Sequence, residues 1–267
     1  MAESDVLKEL LQFLQPNVRQ DIQSKAIEHV VSLTGNREGR RTLSTDPAYT
    51  KALIGLTQNT PEQECKDVYR GLINLSGEDA IVMLLCKDTD FPASLLEMVI
   101  DASCPVVDAA CMILANISRT TIGCKKVMDI LKGSECSTDL AKLVEVFCNI
   151  GYNDKGNLHH MADVLENLTQ VEDGRKFVLD KERCVIQRLL PFTQYASSDV
   201  RRRGVVAALR NCCFELGTDY FIKDPHFYFI QYVQLLCSKL PFSFTIHHAY
   251  SNVNHSIFDG RAGVDTG

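Results

Sequence analysis

The chain has 267 residues, 45% of them hydrophobic, and a formal net charge of −6. That is enough apolar material for a continuous core, in one or two compact domains or one elongated repeat array, and it excludes wholesale disorder. A pI of about 5.7 and the lack of a strongly basic region argue against a nucleic-acid binder, which needs a cationic stripe to neutralise phosphates.

At the N-terminus, MAESDVLKELLQFL alternates acids and lysine with leucine, so it is not a secretory signal. No later stretch approaches the roughly 18 apolar residues of a membrane span, and the expectation is a soluble intracellular protein without membrane contact. The 11 cysteines are odd in number, scattered and never spaced as CxxC. They read as reduced core thiols, not as disulfides or zinc ligands.

Internal self-similarity organises most of the chain. The segments are His29-Val30-Val31-Ser32-Leu33-Thr34, Gly71-Leu72-Ile73-Asn74-Leu75-Ser76, Ile113-Leu114-Ala115-Asn116-Ile117-Ser118, Val164-Leu165-Glu166-Asn167-Leu168-Thr169 and Ala208-Leu209-Arg210-Asn211-Cys212-Cys213. In the first copy Ser32 stands at the Asn position. From Ser32 the steps are 42, 42, 51 and 44 residues, which suits three-helix units with an insertion before the fourth copy. The residues six before, two before and one after the reference are apolar in every copy: Ala26, Val30, Leu33; Val68, Leu72, Leu75; Ala110, Leu114, Ile117; Met161, Leu165, Leu168; Val205, Leu209, Cys212. These offsets lie on one face of an α-helix, so each trio predicts a buried stripe. The fold class expected is therefore an all-α, armadillo-type solenoid of about five three-helix repeats over residues 1–219.

Breakers separate the helices. Thr45-Asp46-Pro47 precedes the run 49–56, Asn59-Thr60-Pro61 and Cys104-Pro105 precede later third helices, and Ser197-Ser198-Asp199 precedes the last. Proline suits a first turn, and Ser or Asp caps its free N–H groups. Asn36-Arg37-Glu38-Gly39 and Asp173-Gly174 follow third helices, where glycine can end them. The dense basic run Arg201-Arg202-Arg203 reads as a solvated helix start.

The pattern stops after about Asp219. Residues 220–267 hold ten of the 20 Phe and Tyr residues and four of the seven His, without repeat register. Two readings stand: a short helix over 227–238 covering the last repeat, or a poorly ordered tail unrelated to the repeats, as alternative splicing or read-through would give. The second is preferred.

No phosphate cradle or nucleophile elbow (GxGxxG, GxxxxGK[ST], GxSxG) occurs. Adjacent His159 and His160 diverge by about 100° on a helix, as do Cys212 and Cys213, so neither pair makes a metal site. No metal, cofactor or catalytic residue is assigned, and an enzyme is not expected.

What remains is a surface. The Asn position and those four and eight before it share one stripe of each third helix. The candidates are Lys66, Arg70, Asn74; Asp108, Met112, Asn116; His159, Asp163, Asn167; and Arg203, Ala207, Asn211. The stripe is either an ordinary solvated face or a shallow protein-binding groove, the usual use of solenoid curvature. The asparagines can bond a neighbouring backbone or an extended ligand. Importin-like receptors carry Trp four residues before the Asn; here those positions hold Arg70, Met112, Asp163 and Ala207, and the chain has no Trp.

The block Arg183-Cys184-Val185-Ile186-Gln187-Arg188-Leu189-Leu190-Pro191, with Thr193-Gln194-Tyr195, Val200-Arg201-Arg202, Gly204-Val205-Val206 and Leu209-Arg210-Asn211-Cys212-Cys213-Phe214-Glu215, closely resembles the eukaryotic HGH homolog family of armadillo-repeat proteins. Gly151-Tyr152-Asn153, Leu158-His159, residues 11–14 and residues 30–35 are similar too, and the resemblance covers about residues 4–219. It implies a monomeric, non-catalytic adaptor in the cytoplasm, with the nucleus left open. The implied partners are translation elongation factor 2, the cytosolic chaperonin and the heat-shock chaperone machinery. The chain departs from the family pattern after Asp219. A transport-type armadillo receptor for basic peptides, or a general protein-interaction scaffold, is the alternative; a small hydrolase would need a buried Cys–His pair.

Overall fold

A computed structural model describes residues 9–58, 61–133 and 137–213. The boundary at Asp219 and the segment 220–267 lie outside them. Besides the helical residues 9–12, the described residues form thirteen α-helices and two short 3-10 helices, with no strand among them. The first third helix is α1 (Gln20–Thr34). The second unit is α2 (Arg37–Ser44), α3 (Pro47–Leu56) and α4 (Glu62–Leu75). The third is α5 (Asp79–Asp88), α6 (Phe91–Ile100) and α7 (Val107–Ser118). The fourth is α8 (Thr121–Lys132), α9 (Leu140–Cys148) and α10 (Met161–Leu168). The last is α11 (Glu172–Leu179), a broken second helix, and α13 (Asp199–Cys213). The break consists of a 3-10 turn Lys181–Arg183, α12 (Val185–Leu189) and a 3-10 turn Leu190–Gln194. Pro191 supplies no N–H and is compatible with the tighter turn.

The third helices α1, α4, α7, α10 and α13 pack one on the next as a continuous layer. The apolar trios explain why. Of the fifteen residues in the five copies, all are buried except Leu33, which is half-buried against the same core. The second helices pack under them, as α6 does against α7 and α3 against α4. Capping follows the breakers: Asp46 accepts from the Ala48 amide ahead of Pro47, and Ser198 Oγ accepts from the Arg201 amide.

The glycines after the third helices have another role than ending them. Gly39, Gly123 and Gly174 are each the third residue of the next helix. A Cβ there would lie 2.1, 1.9 and 2.0 Å from the carbonyl oxygens of Leu33, Ile117 and Leu168. Each is therefore a crossing point where one helix runs directly over the end of the previous one, a separation only glycine permits. Asn36 Oδ1 and Thr120 Oγ1 accept from the Gly39 and Gly123 amides and fix the crossing. In the third unit the same position holds Ile81, so that turn is built differently.

The extra residues of the 51-residue step form the connection 149–160 between α9 and α10. Gly151 (φ 79°) and Leu158 (φ 53°) turn through the left-handed region.

Two glycines give opposite predictions. Gly123→Ala places a methyl against backbone and is expected to cost about 1–3 kcal/mol or more. Gly55→Ala, in α3 with nothing within 4 Å of its Cβ, is expected to stabilise by about 0.5–1 kcal/mol. Leu114→Ala is expected to cost roughly 2–5 kcal/mol. Chemical denaturation of the three variants checks the register; equal midpoints for both glycine variants would show it to be wrong.

Candidate protein-interaction surface

The recurrent asparagines form a ladder across the third-helix layer. Asn116 Nδ2 donates to the Ile73 carbonyl (3.1 Å) and to Ser76 Oγ (2.9 Å). Asn167 Nδ2 does the same to the Ala115 carbonyl and Ser118 Oγ, both at 3.0 Å. Asn211 Nδ2 reaches the Glu166 carbonyl (3.1 Å) and Thr169 Oγ1 (3.2 Å). Asn74 Nδ2 donates to Thr34 Oγ1 at 3.0 Å. Each accepting hydroxyl donates in turn to the carbonyl three residues before it in its own helix. In three of the four rungs a half-buried primary amide thus spends both its hydrogens on the preceding repeat. The signal is present in the sequence as Ser or Thr two residues after each accepting helix's reference position, a polar register that the apolar trios overshadow.

The rest of the candidate stripe divides. Lys66 and Arg70 are exposed, Arg70 paired with Asp67 at 2.8 Å. Asp108 is not a groove acid. Its carboxylate accepts from the Asn157 and Leu158 amides (2.8–3.2 Å) and so anchors the 149–160 connection. Met112 is half-buried. Asp163 bonds His160 Nδ1 at 2.8 Å, and that bond holds the imidazole pKa above its ordinary value. Ala207 is buried, so the stripe is not open along its whole length. Arg203 is exposed. His159, half-buried, lies edge-on to Tyr195, with ring centroids 6.3 Å apart. Burial, and secondarily Arg201, lowers its pKa.

Arg201 corrects the reading of the basic run as solvated. It is 2% exposed. One terminal nitrogen donates to the Phe147 carbonyl (2.9 Å) and the other to the Asn157 carbonyl (2.8 Å). The guanidinium stacks over Phe147, Phe192 and Tyr195 at 4.3, 5.0 and 5.4 Å from the ring centroids. Two charge-assisted hydrogen bonds and three ring faces offset the burial of the cation. Burial nevertheless lowers its pKa from the usual arginine value.

The connection 149–160 is tied at several further points. Asn153, buried, donates to the Asp101 and Cys104 carbonyls and accepts from the Lys155 and Gly156 amides. Tyr152 Oη donates to the Ile100 carbonyl at 2.5 Å. Ile150, 55% exposed, projects from this fixed frame.

Glu166, next to Asn167, is the unexpected titratable group of the surface. It is half-buried, and among the described residues its carboxylate takes no hydrogen bond and no ion pair. Burial and the neighbouring Asp163 charge push its pKa up to about 7, against the pull of Arg210 and Arg203.

Two predictions come from these groups. Arg201→Lys loses the forked pair of carbonyl bonds and is expected to cost about 2–3 kcal/mol, read from denaturant midpoints; a cost near zero would mean the cage is idle. Glu166 has a folded pKa above its unfolded one, so native chains hold the extra proton. Its favourable contribution is complete below the unfolded value and is lost as pH rises through about 7. Glu166→Gln is therefore expected to gain melting temperature over the parent at pH 8 and to match it near pH 4.5.

No group of three or more His, Cys, Asp or Glu among the described residues could hold a metal, and no described helix is long and apolar enough to cross a membrane. A family described as "Domain of unknown function (DUF383)" matches residues 98–239, just over half of the chain and past the boundary expected at Asp219. Protein HGH1 homolog of Danio rerio is 44% identical over 215 residues, 80% of this chain and 56% of that protein. The mouse protein of the same name is 42% identical over 209 residues and the human one 42% over 215, covering 78% and 80% of this chain and 53% and 54% of their own lengths. The chain thus spans about half the length of these relatives. Among solved structures, the designed armadillo repeat protein YIII(Dq)4CqI superposes with a TM-score of 0.63 at 16% identity, covering 89% of this chain and 93% of its own. A computationally designed armadillo protein for modular peptide recognition gives 0.62 at 16% identity, covering 86% and 98%. An armadillo-like all-α solenoid that shares the relatives' sequence across its repeats belongs to the HGH1 homolog family.

Proposed function

We propose that the chain is a non-catalytic adaptor that assists folding of translation elongation factor 2. It holds a folding intermediate of that client and presents it to the cytosolic chaperonin and the heat-shock chaperone machinery. The observation that carries this reading is membership in the HGH1 homolog family; the adaptor role for this factor is what the resemblance to that family implies. The third-helix layer supports it physically: a long surface whose register is fixed by the asparagine ladder loses little conformational freedom on binding. The proposed setting is the cytoplasm and the proposed form a monomer, without cofactor or nucleic acid.

The peptide-receptor alternative draws on the solved neighbour designed for modular peptide recognition. The ladder weighs against it. The three asparagines with two bonds each have no amide hydrogen left for a peptide carbonyl.

Capture from cell lysate on the immobilised full chain tests the proposal. Recovery of elongation factor 2 together with chaperonin subunits is the expected result. Strong recovery of another client without elongation factor 2 would sink it. Micromolar binding of a basic localisation peptide, lost when Asn116 and Asn167 are changed, would revive the receptor reading.

A further inference from the structure

Among the described residues, three buried side-chain polar atoms have no hydrogen-bond partner, and two of them belong to one cluster: His159 Nδ1 and Arg201 Nε. Both side chains lie against Tyr195. The His159 ring meets it edge-on with centroids 6.3 Å apart, and the guanidinium carbon is 5.4 Å from the same ring centroid. Arg201 also holds the Asn157 carbonyl, two residues before His159. The His159 carbonyl in turn accepts from the Ala162 amide (3.2 Å) in the first turn of α10. His159 therefore closes the 149–160 connection at the point where the connection meets α10 and α13.

A neutral imidazole suits this position and an imidazolium does not. In the neutral ring Nδ1 can stay a bare nitrogen, whereas protonation makes both ring nitrogens donors. A new Nδ1–H would be sealed in protein without an acceptor, close to a buried guanidinium. A buried donor without a partner is costly, and repulsion between the two cations adds to that cost. The surrounding groups do not relieve it. Asp108 of α7 attracts the proton, but its carboxylate is committed to the Asn157 and Leu158 amides. His160 is turned to Asp163. The turn Leu190–Gln194 carries no charged side chain. On α13, Arg202 is turned to the Tyr195 carbonyl and to Asp199, and Arg203 is exposed. The thiols of Cys111 and Cys148, which act on Arg201, are kept protonated by burial.

We propose that His159 is an acid-released latch: neutral, its ring closes the Arg201–Tyr195 cage and holds the third, fourth and fifth units together; protonated from solvent, it leaves the cage and frees the 149–160 connection. The ring is half-buried, so part of it already meets water. The direction of the pH response follows. Burial first, and Arg201 second, hold the folded pKa below the ordinary imidazole value of 6.5. An opened chain thus binds the extra proton, and the contribution of the latch is complete above 6.5 and lost as pH falls from there through the folded value. Its neighbour has the opposite sign. The bond to Asp163 raises the His160 pKa, so that contribution is complete below the unfolded value and lost as pH rises through the folded one.

Hydrogen–deuterium exchange of the full chain at pH 7.5 and 5.5, corrected for intrinsic rates, tests the latch. Relative to the amides of α4, opening of residues 149–160 is expected to rise by up to about tenfold at pH 5.5. His159→Phe keeps an aromatic edge on Tyr195 and cannot titrate, so the rise is expected to vanish. In melting curves over the same range, His159→Phe is expected to flatten the loss on acidification and His160→Gln to steepen it. The His159 imidazole signal, assigned by triple-resonance NMR in the unmutated chain, is expected to titrate below 6.5; that reading decides the matter even if His159→Phe does not fold. A His159 signal titrating at or above 6.5, equal opening at both pH values, or the same acid-induced opening in His159→Phe overturns the latch. None of these measurements involves a partner protein, so the latch and the adaptor reading stand or fall separately.

Discussion

The third-helix layer depends on a side-chain amide that reaches backwards. Apolar burial alone would let stacked helices slide or rotate, because leucine and valine contacts have little directional preference. The Asn–hydroxyl–carbonyl triplet removes that freedom. It asks for one amide, one hydroxyl two residues past the preceding reference position and one carbonyl just before it, and three rungs meet all three requirements. Mid-helix asparagine lowers helix propensity by a few tenths of a kcal/mol, a loss that two partly buried hydrogen bonds more than offset. Glycine crossings at 39, 123 and 174 then bring the following helix close over the end of each ladder helix they follow.

The fourth unit departs from the pattern, and its departure is bonded to both neighbouring units. The 149–160 connection is held by Asp108 from α7, by backbone carbonyls at the α6–α7 corner and by Arg201 from α13. An insertion of this kind would ordinarily be a mobile surface loop. Here it ties the third, fourth and fifth units together. That rigidity gives the neighbouring α10 surface, with Asp163 and Glu166, a fixed backing.

Much of this is legible in the residues. The trios locate the third helices and their buried faces because a 3.6-residue period needs only a residue-by-residue polarity to be seen. The insertion is visible as the long step. What escapes is tertiary. Arg201 sits in a run of three arginines and, as a sequence, looks solvated; its burial depends on Phe147, Phe192 and Tyr195, which come from other elements. Asp108 has the spacing of a groove residue but faces a loop that periodicity does not place. The environment of Glu166 is invisible in the sequence because Arg203 and Arg210, whose charges act on it, belong to the next repeat. Ala207 falls on the exposed phase of its helix and is nonetheless buried. Interactions within one helix can be read from spacing; interactions between repeats require the stacking offset as well.

The ladder also has a direction. Every amide is contributed by the later repeat and every hydroxyl by the earlier one, so adjacent units are joined as tongue to slot and not as equals. Thr34 offers a slot although its own helix has Ser32 in place of a tongue. Asn211 is a tongue whose helix offers Cys213 where the slot would be, and that thiol is turned to the Leu209 carbonyl. Units of this array are therefore not interchangeable bricks. Any rearrangement that moved the last unit inward would break the chain of registers at one known residue, and Cys213→Ser is the single change that would give that unit the connector its predecessors share.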